Sequence, residues 1–412
     1  MDSRPSLLPP AGRALSALAE ATLADIQRSG TLRQLQTLQG EVTRRMRVGG
    51  REILLFSSGN YLDLAHHPEV VEAAARAARD VGTAASGSRL ITGNLTCHET
   101  LESELAAFFG KEAALVFSTG YMLNVGVIPV LVGPGDVILS DSLVHASIID
   151  GARLSRAEVI VFPHADVDVL AARLAEVRSR ARRVLVVADG VYSMDGDVAP
   201  LAQITRLTRQ YDAILFVDDA HGTGTLGARG RGVGELADAL EHIDILAGTL
   251  GKALGSFGAF LVGSRRLRDL LINTARSFIF SCALSPPQVE AARCALRLLD
   301  AEPWRREQLQ AHAVHLRRRL AEGGVSTAPS TTHIVPVVLG DNERAVAAQA
   351  ALLERGFHAQ AIRHPSVPHG TARLRLTPMA THTREEIDLL ASALLDTLST
   401  VRALPSRAPS TD

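Results

Sequence analysis

An acid, a histidine and a lysine stand just beyond two apolar runs that follow one another along the chain. Asp218-Asp219-Ala220-His221 follows Ala213-Ile214-Leu215-Phe216-Val217, and Thr249-Leu250-Gly251-Lys252 follows the run from Ile243 to Ala247. Each run reads as a buried parallel strand that releases polar groups at its carboxyl end. In open α/β sheets that edge is where ligands bind. A lysine amine can form a Schiff base, a carboxylate can hold a proton on a pyridine nitrogen, and an imidazole can reach a phenolic oxygen. Lys252, Asp218 and His221 together are the set that pyridoxal phosphate needs. The glycines around Lys252 leave room for a flat cofactor near the backbone.

Other strand ends add to the set. Ser118-Thr119-Gly120-Tyr121 follows a run ending at Phe117 and opens a helix-like stretch, where backbone amides can hold a phosphate. The hydroxyl of Thr249 could reach the same phosphate. His145 follows the strand-end acid Asp141 and could stack on a ring and move protons. Ser193, in Gly190-Val191-Tyr192-Ser193-Met194-Asp195-Gly196, could donate to the cofactor. Taken singly, each is what an ordinary turn or surface carries: a turn-capping Asp, a satisfied loop His, a turn Ser, an exposed Lys. Five strand ends that each offer a suitable group point to an enzyme. The cysteines show no metal-ligand spacing, and no metal is expected.

The elements that must position these groups read as α/β. The chain to about Arg45 is helix-like, with apolar residues at Leu15, Leu18, Ala19, Leu23 and Ile26. Strands are predicted at Ile53–Ser58, Ala113–Ser118, Asp136–Ser140, Glu158–Phe162, Arg183–Ala188, Ala213–Val217, Ile243–Ala247 and Ala259–Val262, mostly separated by helices. That alternation predicts a mostly parallel sheet covered on both faces. A charged helix, Trp304–Glu322, leads to a smaller α/β domain with strands at Ile334–Leu339, Ala359–Ile362 and Arg373–Thr377. The expected division is an N-terminal helical segment (1–55) packing with the small domain, a large cofactor-binding domain (56–299), a small domain (300–400) and a disordered tail (401–412).

The 412 residues suit such a two-part architecture. A formal net charge of −1 gives no electrostatic case for binding nucleic acid or an anionic membrane. The apolar stretch from Ile245 to Val262 holds Lys252 and four glycines, which suits strand and loop better than a membrane span. Residues 1–20 lack a basic start followed by a long apolar run, and Cys97, Cys282 and Cys294 cannot all pair with one another. A cytoplasmic protein acting on small molecules is expected.

The runs Thr-Leu-Gly-Lys (249–252), Asp-Asp-Ala-His-Gly-Thr-Gly (218–224), Tyr-Ser-Met-Asp-Gly-Asp (192–197) and His-Ala-Ser-Ile-Ile-Asp (145–150) resemble the α-oxoamine synthases. These are pyridoxal-phosphate enzymes of the aspartate aminotransferase fold type I. The resemblance runs from about Leu32 to about Leu395. It implies an enzyme that joins an amino acid to an acyl thioester. The C-terminal blocks 361–368 and 370–377 are most similar to the branch that condenses L-alanine with a pimeloyl thioester. By this resemblance Lys252 carries the cofactor, and Asp218, His221, Ser193 and Thr249 bind it. Gly120 and Tyr121 supply phosphate amides, and His145 stacks on the ring. Arg375 holds the amino-acid carboxylate, and Arg33, Arg363 and Ser366 meet substrate. A homodimer with sites at its interface is implied, and the acyl carrier is coenzyme A or an acyl carrier protein. Gly59 stands where the family usually has asparagine, Asp63 and Ala84 where it has glycine, and Met122 where it has a smaller residue; these changes are expected on the substrate side. Alternatives are a sister synthase using glycine, serine or another acyl thioester, and a non-catalytic partner subunit, against which Lys252, Asp218 and His221 argue.

Overall fold

A computed structural model describes residues 12–401. The chain enters through a helix, Arg13–Arg28, that buries none of its own residues, so Leu15, Leu18 and Leu23 stay exposed. The helix ends well before Arg45: Gly30 turns to positive φ just past its C-cap, and residues 29–44 are not helical. Strands β1 (Arg45–Val48) and β2 (Arg51–Leu55) then pair as an antiparallel hairpin. Its turn is Gly49-Gly50, and both glycines hold positive φ, as a two-residue turn of the primed type requires.

The large sheet contains β3 (Ala113–Phe117), β4 (Val137–Asp141), β5 (Glu158–Phe162), β6 (Val184–Asp189), β7 (Ile214–Asp218), β8 (Ile245–Thr249) and β9 (Ala259–Gly263). Its order is β3-β9-β8-β7-β6-β4-β5, with β9 antiparallel to both neighbours and the other pairs parallel. Every residue of β3, β4, β6 and β9 is buried, because helices cover both faces. Alternate residues feed two cores. Val137, Leu139, Val184 and Val186 pack into one; Ile138, Leu185 and Val187 pack into the other, with helices Gly120–Leu131 and Ala146–Ser155.

Helix Trp304–Glu322 has the predicted bounds and buries Leu309, Ala313, Leu316 and Leu320. Beyond it lie β10 (Val335–Gly340), β11 (Phe357–His358), β12 (Gln360–Ile362) and β13 (Ala372–Leu376). An antiparallel sheet of order β10-β13-β12 forms the third core together with helices Asn342–Glu354 and Arg384–Val401. The two-residue β11 adds in parallel to β2, so the N-terminal hairpin extends into the C-terminal part of the fold. The expected disordered tail beyond Val401 lies outside the described residues. No described helix is long and apolar enough to cross a membrane.

Candidate active site

Parallel strands β3, β4, β6, β7 and β8 release their C-terminal turns along one edge of the sheet, and these turns carry the residues singled out above. Lys252 lies in the tight turn between β8 and β9. Its Nζ is 2.8 Å from His221 Nε2, and His221 Nδ1 is 2.7 Å from the Tyr61 hydroxyl. The ring centroids of Tyr61 and His333 are 4.1 Å apart, and both residues are buried. These buried rings form a wall beside one half-buried amine. Burial lowers the Lys252 pKa to about 8 against the attraction of Asp218. Burial, followed by the Lys252 charge, pushes His221 well below its ordinary value, and burial takes His333 to about 3. Burial also raises Tyr61 to about 12. His221 is therefore neutral near pH 7: the ammonium donates to its Nε2, and its Nδ1–H donates to Tyr61.

Asp218 closes β7. Its Oδ2 accepts from Asn124 Nδ2 at 2.8 Å, and its Oδ1 accepts from the Ala220 amide at 3.1 Å. Asn124 also donates to Ser147 Oγ at 2.9 Å, and that oxygen lies 2.7 Å from His145 Nδ1. The His145 amide donates to Asp189 Oδ1 at 3.2 Å, and Asp189 sits directly opposite Asp218 in the β6–β7 register. Burial and then the Asp218 charge push the Asp189 carboxyl well above the usual carboxylate range. Burial lowers His145, with Asp218 opposing and Lys252 reinforcing the shift.

Asn124, Ser147, Asp189, Tyr61 and His333 are partners that the sequence reading did not name. Asn124 carried a usable signal, as the one amide in the otherwise apolar helix Gly120–Leu131. That helix starts with Thr119 as its cap, whose Oγ1 accepts from the Met122 amide at 3.1 Å. The amides of Gly120 and Tyr121, in the first turn, have no intrahelical acceptor. The Tyr121 side chain is exposed, with its hydroxyl bonded to Asp150. The Thr249 hydroxyl donates to the Gly258 carbonyl at 3.0 Å and accepts from the Gly251 amide at 3.1 Å, so it braces the lysine turn itself.

Arg375, on β13, donates from Nη1 to the Ser193 carbonyl at 3.1 Å, while its buried Nε has no partner among the described residues. Its strand neighbour Arg373 bonds to Asp195 and to the Met194 carbonyl, so one turn is gripped twice from the small sheet. Arg33 and Ser366 are exposed. Arg363 donates to the carbonyls of Gly30 and Leu32 at 3.1 and 3.2 Å and so anchors the segment that bears Arg33. Among the described residues, no hydrogen bond joins these three to the Lys252 cluster.

The unusual positions separate by place. A Cβ on Gly59 would lie 3.4 Å from Lys252 Cγ, at the centre of the site. Asp63 holds φ 56°, a conformation that favours glycine, and its carboxylate is fixed there by Asn60 Nδ2 at 3.1 Å and Thr381 Oγ1 at 2.5 Å. Ala84 is exposed, and the Met122 carbonyl accepts from Ser277 Oγ at 2.6 Å.

A half-buried amine facing a buried imidazole, a braced strand-end carboxylate, a helix start and a guanidinium Nε unpartnered among the described residues fit pyridoxal phosphate and an amino-acid carboxylate. The fold and this set define a pyridoxal-phosphate enzyme of fold type I. Residues 51–394 match the family model of aminotransferase class I and II, and the chain belongs to that family, in its α-oxoamine synthase group. It is 48% identical over 374 residues to the 8-amino-7-oxononanoate synthase of Geobacter sulfurreducens, covering 90% of this chain and 95% of that one. It is 46% identical over 377 residues to the enzyme of that name from Anaeromyxobacter dehalogenans, covering 91% and 94%. Among solved structures, Sphingomonas wittichii serine palmitoyltransferase superposes with a TM-score of 0.87 at 32% identity, covering 97% of this chain and 100% of that one. The S. paucimobilis serine palmitoyltransferase, solved with a PLP-myriocin adduct, gives 0.88 at 31% identity over 96% and 100%. The cofactor of this chain is pyridoxal 5'-phosphate, and the chain is a PLP-dependent acyltransferase like 8-amino-7-oxononanoate synthase.

Proposed function

We propose that the chain condenses L-alanine with a pimeloyl thioester to give 8-amino-7-oxononanoate, carbon dioxide and free thiol, a step of biotin biosynthesis. The observation that carries this reading is the half-buried Lys252 amine beside buried His221, with the Nε of Arg375, unpartnered among the described residues, as the available carboxylate donor. The identity to synthases of that name gives the substrate pair.

Pyridoxal phosphate, when bound, supplies an electron sink for charge developing at the amino-acid α-carbon. Lys252 Nζ holds the cofactor and then moves the α-proton; a pKa of about 8 leaves a useful fraction of free amine near neutrality. Asp218 keeps a proton on the pyridine nitrogen, and Asn124 orients it. His221 would face the phenolic oxygen, Ser193 would bind the cofactor, and the Gly120 and Tyr121 amides would take its phosphate, which the Thr249 hydroxyl could meet only by turning from the Gly258 carbonyl. His145 stacks on the ring and gives a proton to the oxygen of the acyl carbonyl under attack. Arg375 fixes the substrate carboxylate, and Arg33, Arg363 and Ser366 meet the acyl substrate, delivered by coenzyme A or an acyl carrier protein.

The working form is a homodimer in the cytoplasm. Ile91 (80% exposed), Phe257 (53%) and Phe280 (70%) leave apolar surface for a second subunit to cover, and the three cysteines are unpaired. The 32% identity to serine palmitoyltransferase, together with the space beside Gly59, favours a sister synthase taking serine or glycine as the second reading. Thiol release from pimeloyl-CoA with each amino acid decides between them. In either case Lys252→Ala abolishes turnover and leaves cofactor bound only non-covalently. Near-normal turnover by that variant would overturn the assignment.

A further inference from the structure

His164 follows the edge strand β5 and lies between two carboxylates. Its Nδ1 is 3.1 Å from Asp141 Oδ1, and its Nε2 is 2.7 Å from Asp197 Oδ2. Asp141 is buried at the end of β4 and also accepts from the amides of Leu143 and Ala165, each at 2.8 Å. It thereby fixes the turn that leads to His145. Asp197 ends the turn that carries Ser193: its carbonyl accepts from the Tyr192 amide at 3.1 Å, and the Gly196 amide donates to the Tyr192 carbonyl at 2.8 Å. The Tyr192 ring meets His164 edge to face, with centroids 4.2 Å apart. The far side of this turn is the one gripped by Arg375 and Arg373. One imidazole thus spans the two turns that bear His145 and the Ser193–Arg375 contact.

We propose that His164 is a positioning residue: it clasps the His145 turn to the Ser193 turn, and through the Ser193 carbonyl it sets where Arg375 meets the substrate carboxylate. A glutamine carries both its N–H donors on one nitrogen and cannot reach the two carboxylates from opposite sides as the two ring nitrogens do, so replacing His164 loosens the Ser193 turn while leaving Lys252, Asp218 and His221 in place. The proposal rests on Arg375 as the carboxylate holder.

The test uses His164→Gln and, approaching the clasp from its other end, Asp197→Asn. In the cofactor-loaded dimer both variants raise KM for the preferred amino acid by about tenfold, with kcat and the KM for the thioester changed less than about threefold. In the cofactor-free protein, amide hydrogen exchange at 192–196 quickens by about tenfold while the sheet strands keep their protection. Unchanged amino-acid KM with unchanged exchange overturns the proposal, as does a uniform loss of protection across the sheet in both variants. If only one variant folds, that one decides. The exchange measurement needs no substrate, so it stands even where the proposed reaction fails.

Discussion

The Lys252 amine lies 2.8 Å from His221 Nε2, and His221 relays that contact to Tyr61 at 2.7 Å. A lysine whose amine bonds to a neutral imidazole relies on the charge of Asp218 to favour its ammonium, and burial outweighs that attraction.

The first consequence concerns pH. Burial brings Lys252 to about 8 from the ordinary lysine value of 10.5. The rate at which the cofactor-free protein attaches pyridoxal phosphate covalently should rise with pH and level off just above 8. The growth of the visible absorption of attached cofactor measures it. A rate still climbing toward pH 10.5 would show a solvated lysine. Because the folded pKa is the lower one, the unfolded chain binds more protons between about 8 and 10.5, and this group adds stability as pH rises through that window.

Asp218→Asn removes the only charge that Asn124 and the Ala220 amide are set to brace. The expected loss in kcat exceeds the ~10²–10⁴-fold typical of a deleted general acid or base. Asn124→Leu, which leaves Asp218 charged and unsteered, should cost less. Steady-state rates of both variants check the order, and a loss under about tenfold for Asp218→Asn would remove it from the cofactor.

Asp219 is fully buried, and burial raises its pKa to about 8. Its carboxyl accepts from the Val233 amide at 2.8 Å and is packed against the bare α-carbons of Gly190, Gly222 and Gly232. A Cβ on Gly232 would overlap the carboxyl, and the residue holds φ +80°. Gly232→Ala should therefore destabilise the fold by about 3 kcal/mol. Denaturant unfolding measures this; a change under about 0.5 kcal/mol would mean the carboxyl is not so confined.

Burial acts to lower His164, but its hydrogen bonds to Asp141 and Asp197 outweigh it and raise the pKa to about 10. The folded value is the higher one, so the stability this group contributes is complete below pH 6.5 and is lost as pH rises through about 10. Besides the two carboxylates, buried Tyr192 faces it, itself raised by burial and by Asp141. The stability difference between wild type and His164→Gln should shrink from pH 6.5 toward pH 10. A constant difference would mean that His164 acts by packing alone.

The strands of the large sheet were legible because parallel strands buried on both faces are continuous apolar runs, most of them shifting by one or two residues; the edge strand Glu158–Phe162, with Val159 and Val161 exposed, is also an apolar run and has the predicted bounds. Strand β8 ends at Thr249 rather than Ala247 because Gly248 and Thr249 continue its pairing with β9, and it starts at Ile245, where its pairing with β7 begins. Strand β1 was hidden because its outward residues are arginines, Arg45 bonding to Glu52 and Glu386. Strand β11 is two residues long and exists only through β2. Lys252, Asp218 and His221 were readable as strand-end chemistry. Most of their braces were not: Tyr61 follows β2, Asp189 ends β6 and His333 precedes β10, and only the folded chain brings them to one edge.

The most direct test gives the purified, cofactor-loaded protein pimeloyl-CoA with L-alanine, glycine or L-serine in turn, and follows free thiol and carbon dioxide together. The account predicts equal release of both, fastest with L-alanine, and an amino ketone product. Release with glycine or serine but not alanine, or none with pimeloyl-CoA, would contradict it.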